Sequence, residues 1–304
     1  MKQFLFLFSF LLIGGFAFAQ EADTAKLENS LLWRITHPEV EQPSYLYGTI
    51  HMIDADDFFL TDSTRWAFEQ TERTTFEINL EDEMNLFSQL SLMTAMFMDD
   101  GVTLQALLKK DEYELVKNHF ERMGMGGFMF SMMQKIKPMF LTVFASGDMT
   151  GGMNSGGIKS YEMELWQMAK DTDKAVGGLE TAKFQMSVFD SIPYQAQADM
   201  LVDAIEAGDS GSDQLDELTK IYLAQDIEAM VQTIGDDAEG LGQYEEILLN
   251  KRNRNWIPVM GEQMREQPTF FAVGAGHLAG PVGVIKLLRA AGYTVEPMLA
   301  PVTP

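Results

Sequence analysis

The sequence predicts an α/β fold with a mixed or parallel sheet flanked by helices, built as two intimately packed lobes with a helical, Met-rich middle insert. Three observations carry this. Short β-prone runs alternate along the chain with stretches of helical apolar spacing, the order that builds parallel or mixed sheets. The C-terminal part reads as a complete β-loop-α-β unit. Of the 22 Met, 12 fall between Met84 and Met153, where the apolar spacing from 83 to 139 is helical.

Composition narrows the function classes before any motif is considered. The chain has 304 residues, of which 46% are apolar and 22% charged, a foldable balance. Its formal charge of −23 excludes binding to a phosphate backbone, and with it nucleic acid. With no Cys there is no disulfide framework, thiolate nucleophile, zinc ribbon or iron–sulfur cluster, so any metal must be held by His, carboxylates or water.

The elements follow in order. Lys2, an apolar stretch from Phe4 to Phe18 and the small-x-small sequence Ala17-Phe18-Ala19 form a signal peptide over 1–19. That stretch is shorter than the ~20 residues a membrane span needs. The remainder, 20–304, is therefore expected as one α/β domain, exported to a periplasm or the outside and free of the membrane after cleavage. Ser44-Tyr45-Leu46-Tyr47-Gly48 reads as a strand running into a loop, with His51 just beyond. Asp62-Ser63-Thr64 opens a helix. Residues 74–80 alternate as a strand, with Phe76, Ile78 and Leu80 on one face and Glu77 on the other.

After the Met-rich helices come Gly-rich breaks at 123–127 and 147–157. Met there serves as core filler or as an adaptable binding surface. Residues 160–169 read as a helix, 174–178 as a short strand, and 181–186, 195–207 and 212–234 as helices. A helical pattern over 226–254 is broken at Gly235 and at Gly240-Leu241-Gly242. Thr269-Phe270-Phe271-Ala272-Val273 has the pattern of a buried strand and runs into Gly274-Ala275-Gly276-His277. Pro281 suits the first turn of the next helix, Val284, Ile285, Leu287 and Leu288 supply its stripe, and Gly292 caps its end before Tyr293-Thr294-Val295.

The chemical signal is a repeated Gly-x-x-His directly after a strand, as Gly48-Thr49-Ile50-His51 and Gly274-Ala275-Gly276-His277. Gly allows a sharp turn where the strand ends, which sets the imidazole at the sheet edge, where neutral ring nitrogens bind divalent cations. Glu77 is the natural third ligand or general base, giving two His and one carboxylate with positions left for water and substrate. His37 and His119 have no partner motif and are expected on the surface. Glu180 suits either this site or the N-terminus of the following helix.

Taken with Leu32-Trp33-Arg34-Ile35, Phe76-Glu77-Ile78, Gly178-Leu179-Glu180-Thr181, Arg252-Asn253-Arg254-Asn255-Trp256 and the stretch from Val273 to Tyr293, these motifs resemble the TraB/GumN family over nearly the whole chain. That family is related to Tiki-type metalloproteases and shares a fold with the erythromycin esterases. The resemblance implies His51, His277 and Glu77 as active-site and metal-binding residues. It also implies Arg252 and Asn253 as catalytic groups that bind a carboxylate or stabilise an oxyanion. The implied reaction is hydrolysis of a peptide or protein substrate helped by a divalent metal ion, Mn²⁺ or Co²⁺, with Zn²⁺ as the alternative. One departure is Glu162, which stands before Leu165 where an Asp is expected. Two other functions stay open: a metal-independent hydrolase with His51 as general base and Glu77 orienting it, and a non-catalytic binder that holds a secreted peptide in a Met-lined groove.

Overall fold

The computed structural model of the protein describes residues 26–82, 86–145, 157–235 and 241–299. The leader 1–19, positions 147–156 of the Gly-rich break and Gly240 lie outside the described residues. The strands are β1 (Leu32–Thr36), β2 (Ser44–Thr49), β3 (Ile53–Asp54), β4 (Arg73–Ile78), β5 (Ile158–Lys159), β6 (Ala175–Glu180), β7 (Thr269–Gly274) and β8 (Thr294–Pro297). Six of them form one sheet in the order β6-β4-β7-β2-β1-β8, while β3 and β5 pair separately. Neighbours from β6 to β2 are parallel, and β1 runs antiparallel to both β2 and β8, so the sheet is mixed.

Sequence explains the centre of this sheet. β2 and β7 read SYLYGT and TFFAVG, runs with almost no exposed position, as strands covered on both faces require. Trp33, Tyr47, Phe76, Phe270, Phe271 and Trp256 are among the fully covered side chains of the core that results. In the parallel strands Thr49 pairs with Gly274 and Ile78 with Glu180, so the carboxyl ends finish nearly level. Whatever follows them stands along one edge, where ligands gather in such sheets.

Helices fill the connections. The first group is α1 (Asp62–Glu69), α2 (Leu86–Ala95), α3 (Leu104–Leu107), α4 (Lys110–Arg122), α5 (Phe128–Met133) and α6 (Pro138–Ala145). After β5 come α7 (Tyr161–Asp171), α8 (Ala182–Phe189), α9 (Tyr194–Ala207), α10 (Asp209–Leu223), α11 (Ile227–Gly235), α12 (Lys251–Glu266) and α13 (Val284–Ala290). A second apolar core, with Leu104, Val116, Phe120, Leu141, Ala198 and Leu201, joins α3, α4 and α6 to α9. The Met-rich insert is thus closed by a helix from later in the chain. Of its methionines, Met98 and Met133 are buried as core filler, whereas Met93, Met129 and Met132 are exposed.

Several boundaries differ from the sequence reading. The helix expected over 212–234 is two, because Gln225 turns the chain with φ 55° and Asp226 Oδ1 then accepts the Ala229 N–H at 3.0 Å to start α11. The strand expected over 74–80 stops at Ile78, and the one over 174–178 runs on to Glu180. Pro281 lies ahead of α13, which Gly283 caps, while Gly292 ends it with φ 94° as expected. α12 continues past Arg254 to Glu266 with Pro258 inside it. No helix among the described residues is long and apolar enough to cross a membrane.

Candidate active site

Four elements meet at the carboxyl edge of the sheet, and each delivers a polar side chain. β4 brings Glu77, β6 brings Glu180, the turn after β7 brings His277, and the start of α12 brings Arg252 and Asn253. The glycines of the two His motifs act through space. A Cβ on Gly48 would stand 3.0 Å from both Ala275 Cβ and Leu278 Cδ2, so its absence lets the second motif lie against β2. A Cβ on Gly274 would lie 3.3 Å from Glu77 Oε1. Neither glycine has a positive φ, so the expected sharp turn is replaced by close approach.

Arg252 is the hub. Its Nη2 donates to Glu77 Oε2 at 2.5 Å and to Glu180 Oε1 at 2.7 Å, and Nε adds a bond to Glu180 Oε1 at 3.0 Å. Nη1 donates to the Leu248 carbonyl at 3.0 Å, in the π-helical turn that leads into α12, and faces His277 Nε2 at 3.2 Å. Glu77 also accepts from the Gly274 N–H through Oε1 and from Gln185 of α8 through Oε2, each at 2.9 Å. Trp256 seals the pocket. Its Nε1 donates to Glu180 Oε2 at 2.9 Å, and its ring lies 4.4 Å from that of His277.

These contacts settle where the protons sit. An Arg nitrogen only donates, so His277 Nε2 facing Arg252 must be the bare nitrogen, and Nδ1 carries the hydrogen. That hydrogen goes to Asn253 Oδ1 at 2.5 Å, while Asn253 Nδ2 donates to the Val282 carbonyl at 2.9 Å. Burial drives His277 down to about 3 and the Arg252 cation adds to it, against the pull of Glu77, so the ring is neutral. Burial opposes ionisation of Glu77, yet the Arg252 cation beside it, the more distant His51 and the Gly274 N–H outweigh it and lower the carboxyl to about 2. Arg252, the permanent cation, fixes the direction.

His51 is held differently. Its side chain is 74% exposed, and its Nδ1 pairs with Glu162 Oε1 at 3.1 Å. The bond to Glu162 raises its pKa, an effect that water around an exposed ring limits. His51 stands near enough to act electrostatically on Glu77 and His277. Of the expected trio the structure therefore brings Glu77 and His277 together, with Glu77 Oε1 at 3.7 Å from His277 Nε2, and leaves His51 with Glu162. His119 is half-buried and bonded to the Ala145 carbonyl at 2.9 Å, and His37 packs on Tyr293.

Both imidazoles spend Nδ1 on a side-chain acceptor, the arrangement seen in metal-binding histidines, while His277 Nε2 accepts from Arg252 Nη1 at 3.2 Å, so a cation there would have to displace that guanidinium contact. Two buried carboxylates, Glu77 and Glu180, face one buried guanidinium beside a neutral imidazole, so the pocket is one positive charge short. No ready-made cluster of three His, Asp or Glu ligands is present among the described residues.

Gln185 and Trp256 are the polar partners that sequence reasoning did not place in the site; it leaves Glu180 open between the site and a helix N-terminus, and marks Glu162 only as standing where an Asp is expected. Trp256 had a signal, four positions after Arg252 and so on the same helical face. Glu180 ends a strand beside Glu77, which its short apolar run did not disclose. Gln185 carries no local pattern, and the position of Glu162 before Leu165 marked it as acidic without disclosing His51 as its partner.

Comparison with known proteins gives a consistent relationship. "Metalloprotease TIKI2" of Danio rerio is 23% identical over 88% of this chain and 61% of that protein. "Metalloprotease TIKI1" of Homo sapiens is 24% identical over 88% of this chain and 62% of that protein. The "Metalloprotease TIKI homolog" of Nematostella vectensis is 22% identical over 88% of this chain and 67% of that protein. The chain thus spans less than two thirds of the length of the first two. No solved structure matches it at a significant level. The family model described as TraB/PrgY/gumN matches residues 31–297, which includes every residue of the site, and the chain belongs to that family.

Proposed function

We propose that this chain is an exported hydrolase of peptide bonds that works with a divalent cation, Mn²⁺ or Co²⁺ with Zn²⁺ as the alternative, on a peptide or protein substrate. One observation carries the reading: His277 Nε2 and Glu77 Oε1 face each other at 3.7 Å in a buried pocket short of one positive charge. The relatives named metalloproteases support the reaction class.

His277, Glu77 and the outer His51 would hold the cation. When bound, it would polarise the scissile carbonyl and lower the pKa of a water. Glu77, held at about 2, is a poor proton acceptor at neutral pH, which favours the ligand role over that of general base. Asn253 keeps the hydrogen of His277 on Nδ1, so Nε2 presents its lone pair, which Arg252 Nη1 now faces at 3.2 Å and would yield to a cation. Arg252 spends its donors on Glu77, Glu180, Leu248 and His277 and is 7% exposed, so it orients the carboxylates and offers substrate little surface.

A second reading, direct hydrolysis with His51 taking a proton, is favoured by the His51–Glu162 pair and by Arg252 standing between Glu77 and His277. Cleavage of a mixed peptide library by the full chain separates the two. The cation reading expects activity to vanish in chelator, to return with Mn²⁺, and to be absent in a folded His277→Ala variant. Undiminished cleavage in chelator would turn the assignment to the direct route.

A further inference from the structure

The core that fixes His277 does not reach His51. With 74% of its side chain in water, packing leaves that imidazole free to swing, and what holds it comes from 111 positions later in the chain. Glu162, in the first turn of α7, accepts from His51 Nδ1 at 3.1 Å and from Thr49 Oγ1 at 2.8 Å through Oε1, and from Ser160 Oγ at 3.0 Å through Oε2. An ionised carboxylate only accepts, so Nδ1 carries the hydrogen. The carboxylate is itself anchored at both ends, since Thr49 closes β2 and Ser160 caps α7.

The backbone repeats this connection. β3 starts two residues after His51 and pairs with β5, which ends three residues before Glu162, with Ile53 opposite Lys159 and Asp54 opposite Ile158. The Ala55 N–H extends the ladder to the Gly157 carbonyl at 2.9 Å. Tyr161, fully buried, donates to the Phe59 carbonyl at 2.9 Å and fixes the first turn of α7 from below.

We propose that Glu162 is the positioning residue of His51, doing for the exposed imidazole what Asn253 does for the buried one: it takes the Nδ1 hydrogen and leaves Nε2 as the working nitrogen. The inference rests on the reading of this sheet edge as the reacting site. It serves the cation-assisted and the direct route alike, because an imidazole held through Nδ1 suits both.

The test uses the full chain with ¹⁵N-labelled histidine, as wild type, Glu162→Met, which keeps volume without an acceptor, and Glu162→Gln, which keeps an acceptor. Long-range ¹⁵N–¹H spectra are expected to show a protected His51 Nδ1 hydrogen in the wild type. It should be lost in Glu162→Met and retained in Glu162→Gln, with the His277 signals unmoved in all three. Titration with Mn²⁺ alone should give an affinity about 10- to 100-fold weaker in Glu162→Met, the usual effect of removing a partner behind a ligand. Glu162→Ala replaces Glu162→Met if that chain fails to fold. A His51 signal that persists without the carboxylate overturns the proposal whatever the metal does. Loss of that signal in a protein whose wild type takes up no Mn²⁺ upholds the positioning role and rejects the cation reading.

Discussion

Arg252 shows at the scale of one residue why the pocket holds together. Its guanidinium answers two buried carboxylates at once, and removing it strands both. Replacing one partner of such a pair is costly because the other charge stays buried, so Arg252→Met is predicted to lower stability by about 3–5 kcal/mol. Urea unfolding of the variant measures this directly. Arg252→Lys should recover little, since an ammonium cannot make the forked contacts with Glu180 and still reach Glu77.

His277 makes a prediction in pH at the same scale. Its pKa falls from 6.5 in the unfolded chain to about 3 in the folded one, so the unfolded state takes up the proton first. Stability from the neutral ring is whole above about pH 6.5 and declines as the pH drops toward 3. Glu77, lowered from 4.5 to about 2, acts in the same direction but further down, which leaves the window from 6.5 to 4.5 to His277. Thermal unfolding across that window should slope in the wild type and flatten in His277→Gln. Equal slopes would mean that the ring is already protonated in the fold.

At the scale of elements, the site depends on how closely the turn after β7 approaches β2. A methyl on Gly48 has 3.0 Å to Ala275 Cβ and to Leu278 Cδ2, both on buried residues that would have to shift to admit it. Gly48→Ala is therefore predicted to cost about 1–3 kcal/mol by overpacking and to displace the His277 turn. Calorimetric melting and the His277 resonances report the two effects separately. The strands that frame the site, β2, β4 and β7, were legible because their runs are apolar or alternate strictly. β1 was less so, since LWRIT shows no clean period, and its place between β2 and β8 follows from pairing across the chain. The split between α10 and α11 hid behind an unbroken helical spacing, for Gln225 turns the chain without Gly or Pro to mark it.

Site legibility had the same limit. His51, His277 and Glu77 stood out because each follows or ends a readable strand, and Arg252 with Asn253 came from the family motif. Gln185 did not, and Glu162 stood out only as an acidic position without a partner, because each meets its partner more than 100 positions away in the chain. The expectation of Glu77 as a proton acceptor rested on residue type, and the surroundings that hold it ionised appear only in three dimensions.

The whole molecule has two cores on either side of one question of chemistry. The sheet core supports the buried pair of Glu77 and His277, and beside the helical core, closed by α9, Phe140 of α6 packs on Phe189 of α8, the helix whose Gln185 touches Glu77. A molecule of charge −23 favours cations over anions at such an edge, in keeping with the local deficit of one positive charge. Calorimetric titration of the chelator-treated chain with Mn²⁺ and Co²⁺, beside folded His277→Ala, tests the central claim most directly. One saturable site per chain, lost in the variant, is the predicted result; no heat of binding in the wild type, or equal binding in both proteins, would contradict it.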